Sequence, residues 1–259
     1  MGNRPTREFD FELPVGYMDE DGRVHRTATL RKMSGHEEAM LADRKLRQNA
    51  GKLVTELLTS CTKKLDDVTS VNRQLIADLT SADRNYLLLE LRKITFGETI
   101  EANYRCPACG GTNHILEELD ELPVNRADNG GPPEIMVELE DGYEDKNGEV
   151  YTTMSFRLPT GVDEEKTANI VKSNASRGTN ALLSRCMVGL GDMPTNRREA
   201  LGTKILGDLT MGDRARIERA FRQEMPGVDL TRELTCEHCG SPIKTTLDMK
   251  SFFSLPSAA

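Results

Sequence analysis

Residues 78–110 read DLTSADRNYLLLELRKITFGETIEANYRCPACG, and residues 208–240 read DLTMGDRARIERAFRQEMPGVDLTRELTCEHCG. Aligned without a gap, ten of the thirty-three positions are identical: Asp78/Asp208, Leu79/Leu209, Thr80/Thr210, Asp83/Asp213, Arg84/Arg214, Arg92/Arg222, Gly97/Gly227, Cys106/Cys236, Cys109/Cys239 and Gly110/Gly240. A repeat on this scale governs the reading of the whole chain, because each copy must then carry the same supersecondary unit. The match extends upstream with small gaps. Leu30-Arg31 pairs with Phe156-Arg157, Ser34-Gly35 with Thr160-Gly161, and the run Leu57 to Cys61 with Leu182 to Cys186. Two tandem diverged repeats are therefore expected, the first over residues 1–124 and the second over 134–259. The linker 125–133, NRADNGGPP, has the composition of a connection.

Each copy reads in the same order. The segments MDEDGRV and YEDKNGEV carry turn chemistry between alternating strands, such as Val150 to Phe156, and predict a hairpin. A helical stretch follows, holding Leu53, Val54, Leu57 and Leu58 in one copy and Ala181, Leu182, Leu183 and Met187 in the other. Thr80 with Asp83, and Thr210 with Asp213, place a hydroxyl at a helix N-cap and a carboxylate three residues on. Leu87, Leu88, Leu91 and Ile94 then lie at helical spacing, as do Ile217, Ala220, Phe221 and Met225, before a stop at Gly97 or Gly227. Each copy ends in a strand, a CxxCG turn and a second strand. The fold class is α+β.

The turns Cys106-Pro-Ala-Cys109-Gly and Cys236-Glu-His-Cys239-Gly are zinc knuckles. Two intervening residues let a tight turn aim both thiolates at one ion, and the glycine that follows permits backbone geometry that a Cβ would crowd. Two such turns supply the four thiolates of a closed structural zinc site. The expected metal ligands are Cys106, Cys109, Cys236 and Cys239, holding one Zn2+ shared by the two copies. The long stretch between Cys109 and Cys236 departs from compact zinc-ribbon spacing, so each repeat supplies half of the site. Disulfides, a redox pair and an iron–sulfur cluster are the competing chemistries for these sulfurs. His238 lies inside a knuckle whose cysteines already fill its share, and Cys61 and Cys186 fit buried apolar positions. Lone arginines such as Arg84/Arg214 and Arg92/Arg222 are expected to form surface or intra-domain ion pairs.

Composition narrows the function. The net charge is -8 and no basic run is longer than a pair such as Lys63–Lys64 or Arg197–Arg198, which argues for protein partners over nucleic acid. The lack of Trp leaves stacking platforms poorly supplied. No stretch approaches the ~20 apolar residues of a membrane-crossing helix, and the polar N-terminus lacks a secretory core, so the expected location is cytoplasmic. Met1-Gly2-Asn3-Arg4-Pro5-Thr6 fits the loose myristoylation pattern by one glycine and one hydroxyl. No nucleotide-binding, hydrolase or metalloprotease motif is present, and four thiolates leave a zinc ion no open position, so no reaction is expected.

The stretch DRNYLLLELRKITFGETIEANYRCPACG, the Ser/Thr-Gly-x-Glu/Asp-Glu segments and the ending CEHCG…LDMKSFFSL resemble the tailed-phage baseplate hub assembly chaperones. Relatives of these occur beside the sheath genes of bacterial contractile injection systems. The resemblance spans nearly the whole chain. It implies a role in building a contractile tail, as a chaperone or as a baseplate component, with hub, spike or tape-measure proteins as partners. It further implies a place in the host cytoplasm during assembly or in the assembled tail particle. The competing reading is a nucleic-acid-binding zinc ribbon. Against it, Glu98, Glu101, Glu117, Glu118, Asp120, Glu121, Asp229 and Glu233 crowd the knuckles where a polyanion would need Lys and Arg.

Overall fold

Alternating apolar residues set up the first two strands, β1 (Glu8–Met18) and β2 (Val24–Arg31), which pair antiparallel around the Asp19–Gly22 turn. The computed structural model describes residues 7–128 and 131–247. The Met1–Thr6 pattern and the DMKSFFSL part of the ending quoted for the resemblance lie outside the described residues. The Asp19 carboxylate accepts from the amides of Asp21 and Arg23, at 3.0 and 2.9 Å, so it closes the hairpin. Next come α1 (Gly35–Ala42), α2 (Ala50–Cys61), β3 (Thr62–Leu65), α3 (Arg73–Asp78) and α4 (Ser81–Phe96). The hairpin of β4 (Thr99–Arg105) and β5 (Thr112–Glu118) follows. β3 adds to β2, giving the sheet order β1-β2-β3.

After β6 (Val124–Asn125), a similar order of elements follows, with one more helix and a short strand ahead of the last hairpin. β7 (Glu134–Glu144) and β8 (Val150–Arg157) lead to α5 (Gly161–Ser173), α6 (Ala175–Cys186) and β9 (Met187–Leu190). Then come α7 (Thr195–Leu201), α8 (Thr203–Asp208) and α9 (Met211–Glu224). β10 (Gly227–Val228) precedes the last hairpin, β11 (Thr231–Thr235) with β12 (Pro242–Thr246). The second sheet runs β7-β8-β9. The protein is mixed α+β.

Both sheets break register at matching places, between Glu12 and Tyr17 and between Glu138 and Tyr143. Gly16 and Gly142 take φ of +94° and +78° there, in the left-handed region that favours glycine. The bulge leaves backbone amides without strand partners. In the first half the Asp83 carboxylate accepts from Val15 at 2.8 Å and from Gly16 at 3.2 Å. In the second, Asp213 accepts from Glu140, Asp141 and Gly142 at 2.6, 3.1 and 3.0 Å. The cap expected at these helix starts is present, since Thr80 and Thr210 each accept from the amide three residues on. The carboxylates do more than favour the helix dipole: they lock helix to sheet.

Two cores result. Leu13, Ala28, Leu30, Leu57, Leu58 and Leu87 fill the first, and Ile135, Met154, Phe156, Leu183, Leu190 and Ile217 the second. Val15 and Ala82 of the first half pack into the second core, and Val228 packs on the first. The start of the connecting segment makes backbone bonds to both halves. Val124–Asn125 pairs with Gly227–Val228, and the Ala127 amide donates to the Pro14 carbonyl at 2.8 Å.

A bridge between Thr80 and Thr160 joins the halves, flanked by donation from Ser81 to the Pro159 carbonyl and from Gly161 to that of Leu79. Beside it, Arg84 is fully buried. Its guanidinium donates to the Glu164 carboxylate at 3.2 Å and the Thr55 hydroxyl at 3.2 Å, and to the carbonyls of Ile76 and Gly51 at 3.0 and 3.1 Å. The expectation of a surface or intra-domain pair is thus corrected: Arg84 ties the first half to the second. Arg92 is buried too and forms no ion pair among the described residues; it donates to the carbonyls of Gly97 and Thr99. A guanidinium with five donors can close off the carbonyls that a helix end leaves exposed.

Candidate metal centre

The tips of the β4–β5 and β11–β12 hairpins meet, and the four cysteines meet with them. The knuckles share one geometry. Cys106 donates to the Gly111 carbonyl at 2.8 Å and accepts from Gly110 at 2.9 Å; Cys236 donates to Ser241 at 2.9 Å and accepts from Gly240 at 2.9 Å. Gly110 and Gly240 adopt φ of +74° and +71°, the requirement anticipated for the residue after each CxxC. The Cys106 sulfur lies 3.7 Å from that of Cys239, and Cys109 lies 3.7 Å from Cys236. All four sulfurs fall within 4.8 Å of one another.

A disulfide requires sulfurs ~2.05 Å apart, so these thiols are free. Zinc–sulfur bonds of ~2.3 Å give a tetrahedron whose edges are ~3.8 Å. The two inter-hairpin separations therefore suit four thiolates around one small cation. Cys106 and Cys236 face inward, with Cys109 and Cys239 at the exposed rim. The Ser241 hydroxyl and amide hold the Cys239 thiol down at about 6. The Gly111 amide favours the Cys109 thiolate, but the neighbouring sulfurs outweigh it and push that thiol up to about 11.

Side chains around the cluster bind the hairpins together. Asn113, which nothing in the sequence singled out, is buried at their contact. Its Oδ1 accepts from the Glu237 amide at 2.8 Å, and its Nδ2 donates to the Tyr104 carbonyl at 3.2 Å and lies 3.8 Å from the Cys236 sulfur. Its counterpart in the second hairpin is Ile243, which packs against Cys106 and Cys236. His238 is exposed and reaches the Thr112 carbonyl with Nε2 at 3.0 Å. Gly111 leaves room for its ring, which a Cβ there would meet at 2.4 Å. Glu117, one of the acidic residues near the knuckles, is buried. It accepts from Tyr104 at 2.7 Å and from Arg232 at 2.9 Å.

Cys61 and Cys186 lie far from this chemistry. Both are fully buried, and burial beside Glu37 and Asp163 respectively pushes each thiol up to about 12. They behave as small apolar groups.

Fold and cluster together define an α+β protein in which four cysteines, from two hairpins far apart in sequence, lie together. The chain belongs to the T4 bacteriophage base plate protein family, whose model matches residues 6–254. No curated protein and no solved structure matches it. Membership gives it a baseplate-associated role, structural or in assembly, alongside other baseplate components in a phage particle or its formation. Among the described residues no helix is long and apolar enough to cross a membrane.

Proposed function

We propose that this chain is a non-enzymatic zinc-ribbon protein that acts in baseplate and hub assembly of a contractile tail, as chaperone or structural component. One Zn2+, held by Cys106, Cys109, Cys236 and Cys239, clamps two diverged copies of a single unit. The observation that carries the metal is the pair of 3.7 Å sulfur separations between hairpins. Four thiolates fill a tetrahedron and leave no position for substrate or an activated water. Structural zinc contributes ~10–16 kcal/mol of apparent binding energy, enough to hold halves whose sulfurs lie far apart in sequence. The duplication is supported by the matched register breaks, by the matched use of Asp83 and Asp213, and by the matched knuckles.

Metal quantification on the purified chain is expected to give one zinc per chain with four sulfur ligands. Co-purification from cells making the particle is expected to recover hub, spike or tape-measure proteins. Fewer than four sulfurs would reopen a catalytic role, and recovery of none of these partners would end the assembly reading. Cys106→Ser is expected to destabilise both halves in limited proteolysis. A second half that stays protected would argue against a shared ion.

A further inference from the structure

Away from the knuckles, the two halves meet through surfaces that are not alike. The turn at Thr160-Gly161 and the start of α5 sit on the corner where α3 passes into α4. Each half owns both surfaces. The first half has its own turn, Ser34-Gly35 leading into α1, and the second has its own corner, Leu209-Thr210 leading into α9. Within the chain only one turn and one corner are used. No backbone bridge joins α1 to α9 among the described residues. The contact is head to tail, and a head-to-tail contact leaves one surface of each kind over.

The leftover surfaces are exposed where their counterparts are covered. Ser81 and Arg84 are buried on the used corner. On the vacant corner Thr210 and Gly212 are exposed, Met211 is 80% exposed, and Arg214 is half-buried. Arg214 repeats the inner bonds of Arg84, donating to the Leu206 carbonyl at 3.0 Å and to Asn180, as Arg84 does to Ile76 and Thr55. It lacks the carboxylate: among the described residues no acid faces Arg214, whereas Arg84 has Glu164. On the vacant turn, Glu38 occupies the position of Glu164, and it is exposed with no ion pair among the described residues. Gly161 is closely covered by Arg84, whose Nη1 a Cβ would meet at 2.4 Å, while a Cβ on Gly35 would meet nothing within 4 Å.

We infer that a second copy of this chain docks its Ser34–Glu38 turn on the Leu209–Arg214 corner, repeating between chains the contact that Thr160–Glu164 makes on Leu79–Arg84 within one. Glu38 supplies the missing charge to Arg214, Gly35 admits the guanidinium, and Met211 is covered. The inference rests on the doubled-chain reading above. Because the contact is heterologous, copies associate as a ring or a row rather than as a two-fold dimer.

Sedimentation equilibrium on the purified full chain, across the micromolar range, tests this. The wild type is expected to associate, more weakly as salt rises. A Cβ at Gly35 meets nothing within 4 Å, and Glu38 is exposed with no ion pair among the described residues; Gly35→Ala and Glu38→Arg are each expected to weaken association by about tenfold or more. Glu38→Arg combined with Arg214→Glu is expected to restore it. A chain that stays monomeric throughout, or one whose association ignores both single substitutions, overturns the inference. A monomer that still carries one zinc on four sulfurs removes the self-association alone and leaves the doubled-chain reading standing.

Discussion

Gly161 lies directly beneath the Arg84 guanidinium, and a Cβ at that glycine would meet Nη1 at 2.4 Å. Arg84 has nowhere to retreat, because its donors are committed to Gly51, Ile76, Thr55 and Glu164 in a site without solvent. Gly161→Ala is therefore expected to destabilise the protein by about 2 kcal/mol, in the range of other overpacked sites. Arg84→Met removes the donors that the buried carbonyls of Ile76 and Gly51 accept from and is expected to cost about 3 kcal/mol. Urea unfolding followed by circular dichroism measures both. Loss of a single cooperative transition in Arg84→Met would mark the arginine as the tie between halves, and an unchanged midpoint would refute it.

Asp83 and Asp213 hold helix to bulge in the two halves through charge-assisted bonds to backbone amides. Both are fully buried. Asp83→Asn and Asp213→Asn each replace an acceptor oxygen with a donor facing N–H groups, and each is expected to cost about 2–3 kcal/mol. Alanine at Thr80 or Thr210, which removes the N-cap hydroxyl and one methyl group, is expected to cost about 1 kcal/mol. Thermal melts of the four variants give the ranking. A Thr80→Ala effect as large as that of Asp83→Asn would mean that the aspartate serves the helix start alone.

How much of this could be read beforehand depends on where each residue's partner sits. The caps, the hairpin turns and the knuckles are local, with partners within a few residues, so spacing alone reveals them. The partners of Arg84 lie in α2, α3 and the far half, and nothing in its neighbourhood announces burial. The signal was present in another form: Asp83-Arg84 and Asp213-Arg214 are identical at aligned positions of two otherwise divergent segments, and a charged pair kept in both marks an internal task. The symmetry itself misleads in one respect. It implies equal environments, yet α4 is buried from Ser81 to Leu91 on nearly every face, while in α9 only Asp213 and Ile217 are fully enclosed. Which of two equal surfaces becomes covered is settled by how the halves dock, and sequence identity does not express that.

Acid should weaken both halves by the same route. Glu37 accepts from Arg31 at 2.7 Å and from Ser60 and Ser34; Asp163 accepts from Arg157, Arg185 and Thr160. Burial opposes ionisation at each, but these donors outweigh it and hold both carboxyls below the usual carboxylate range. The unfolded chain then takes up protons first as pH falls, so stability rises with pH across that interval. The contribution is complete above the ordinary value near ~4 and is lost as pH drops toward the folded values. Glu37→Gln and Asp163→Asn are expected to lower stability at neutral pH and to flatten its decline below ~4. Urea midpoints taken from neutral to acid pH decide the matter, and a decline as steep in the double variant as in the wild type would place the acid sensitivity elsewhere.

Asn113 touches both hairpins and a sulfur at once. Its three contacts orient the Cys236 turn: the Glu237 amide is fixed by Oδ1, the Tyr104 carbonyl by Nδ2, and Cys236 Sγ lies at 3.8 Å from that same nitrogen. Groups that position metal ligands typically alter affinity ~10–100-fold when removed, although they bind no metal themselves. Asn113→Leu keeps the volume close to that of Ile243, its counterpart, while deleting every hydrogen bond. It is expected to retain one zinc per chain but to release it about tenfold or more faster to a chromophoric chelator. His238→Ala removes one exposed contact to Thr112 and is expected to leave release nearly unchanged, since an exposed bond trades evenly with water. The reverse order, with His238 the more sensitive of the two, would mean that the imidazole takes part in holding the ion and that the four-sulfur assignment is incomplete.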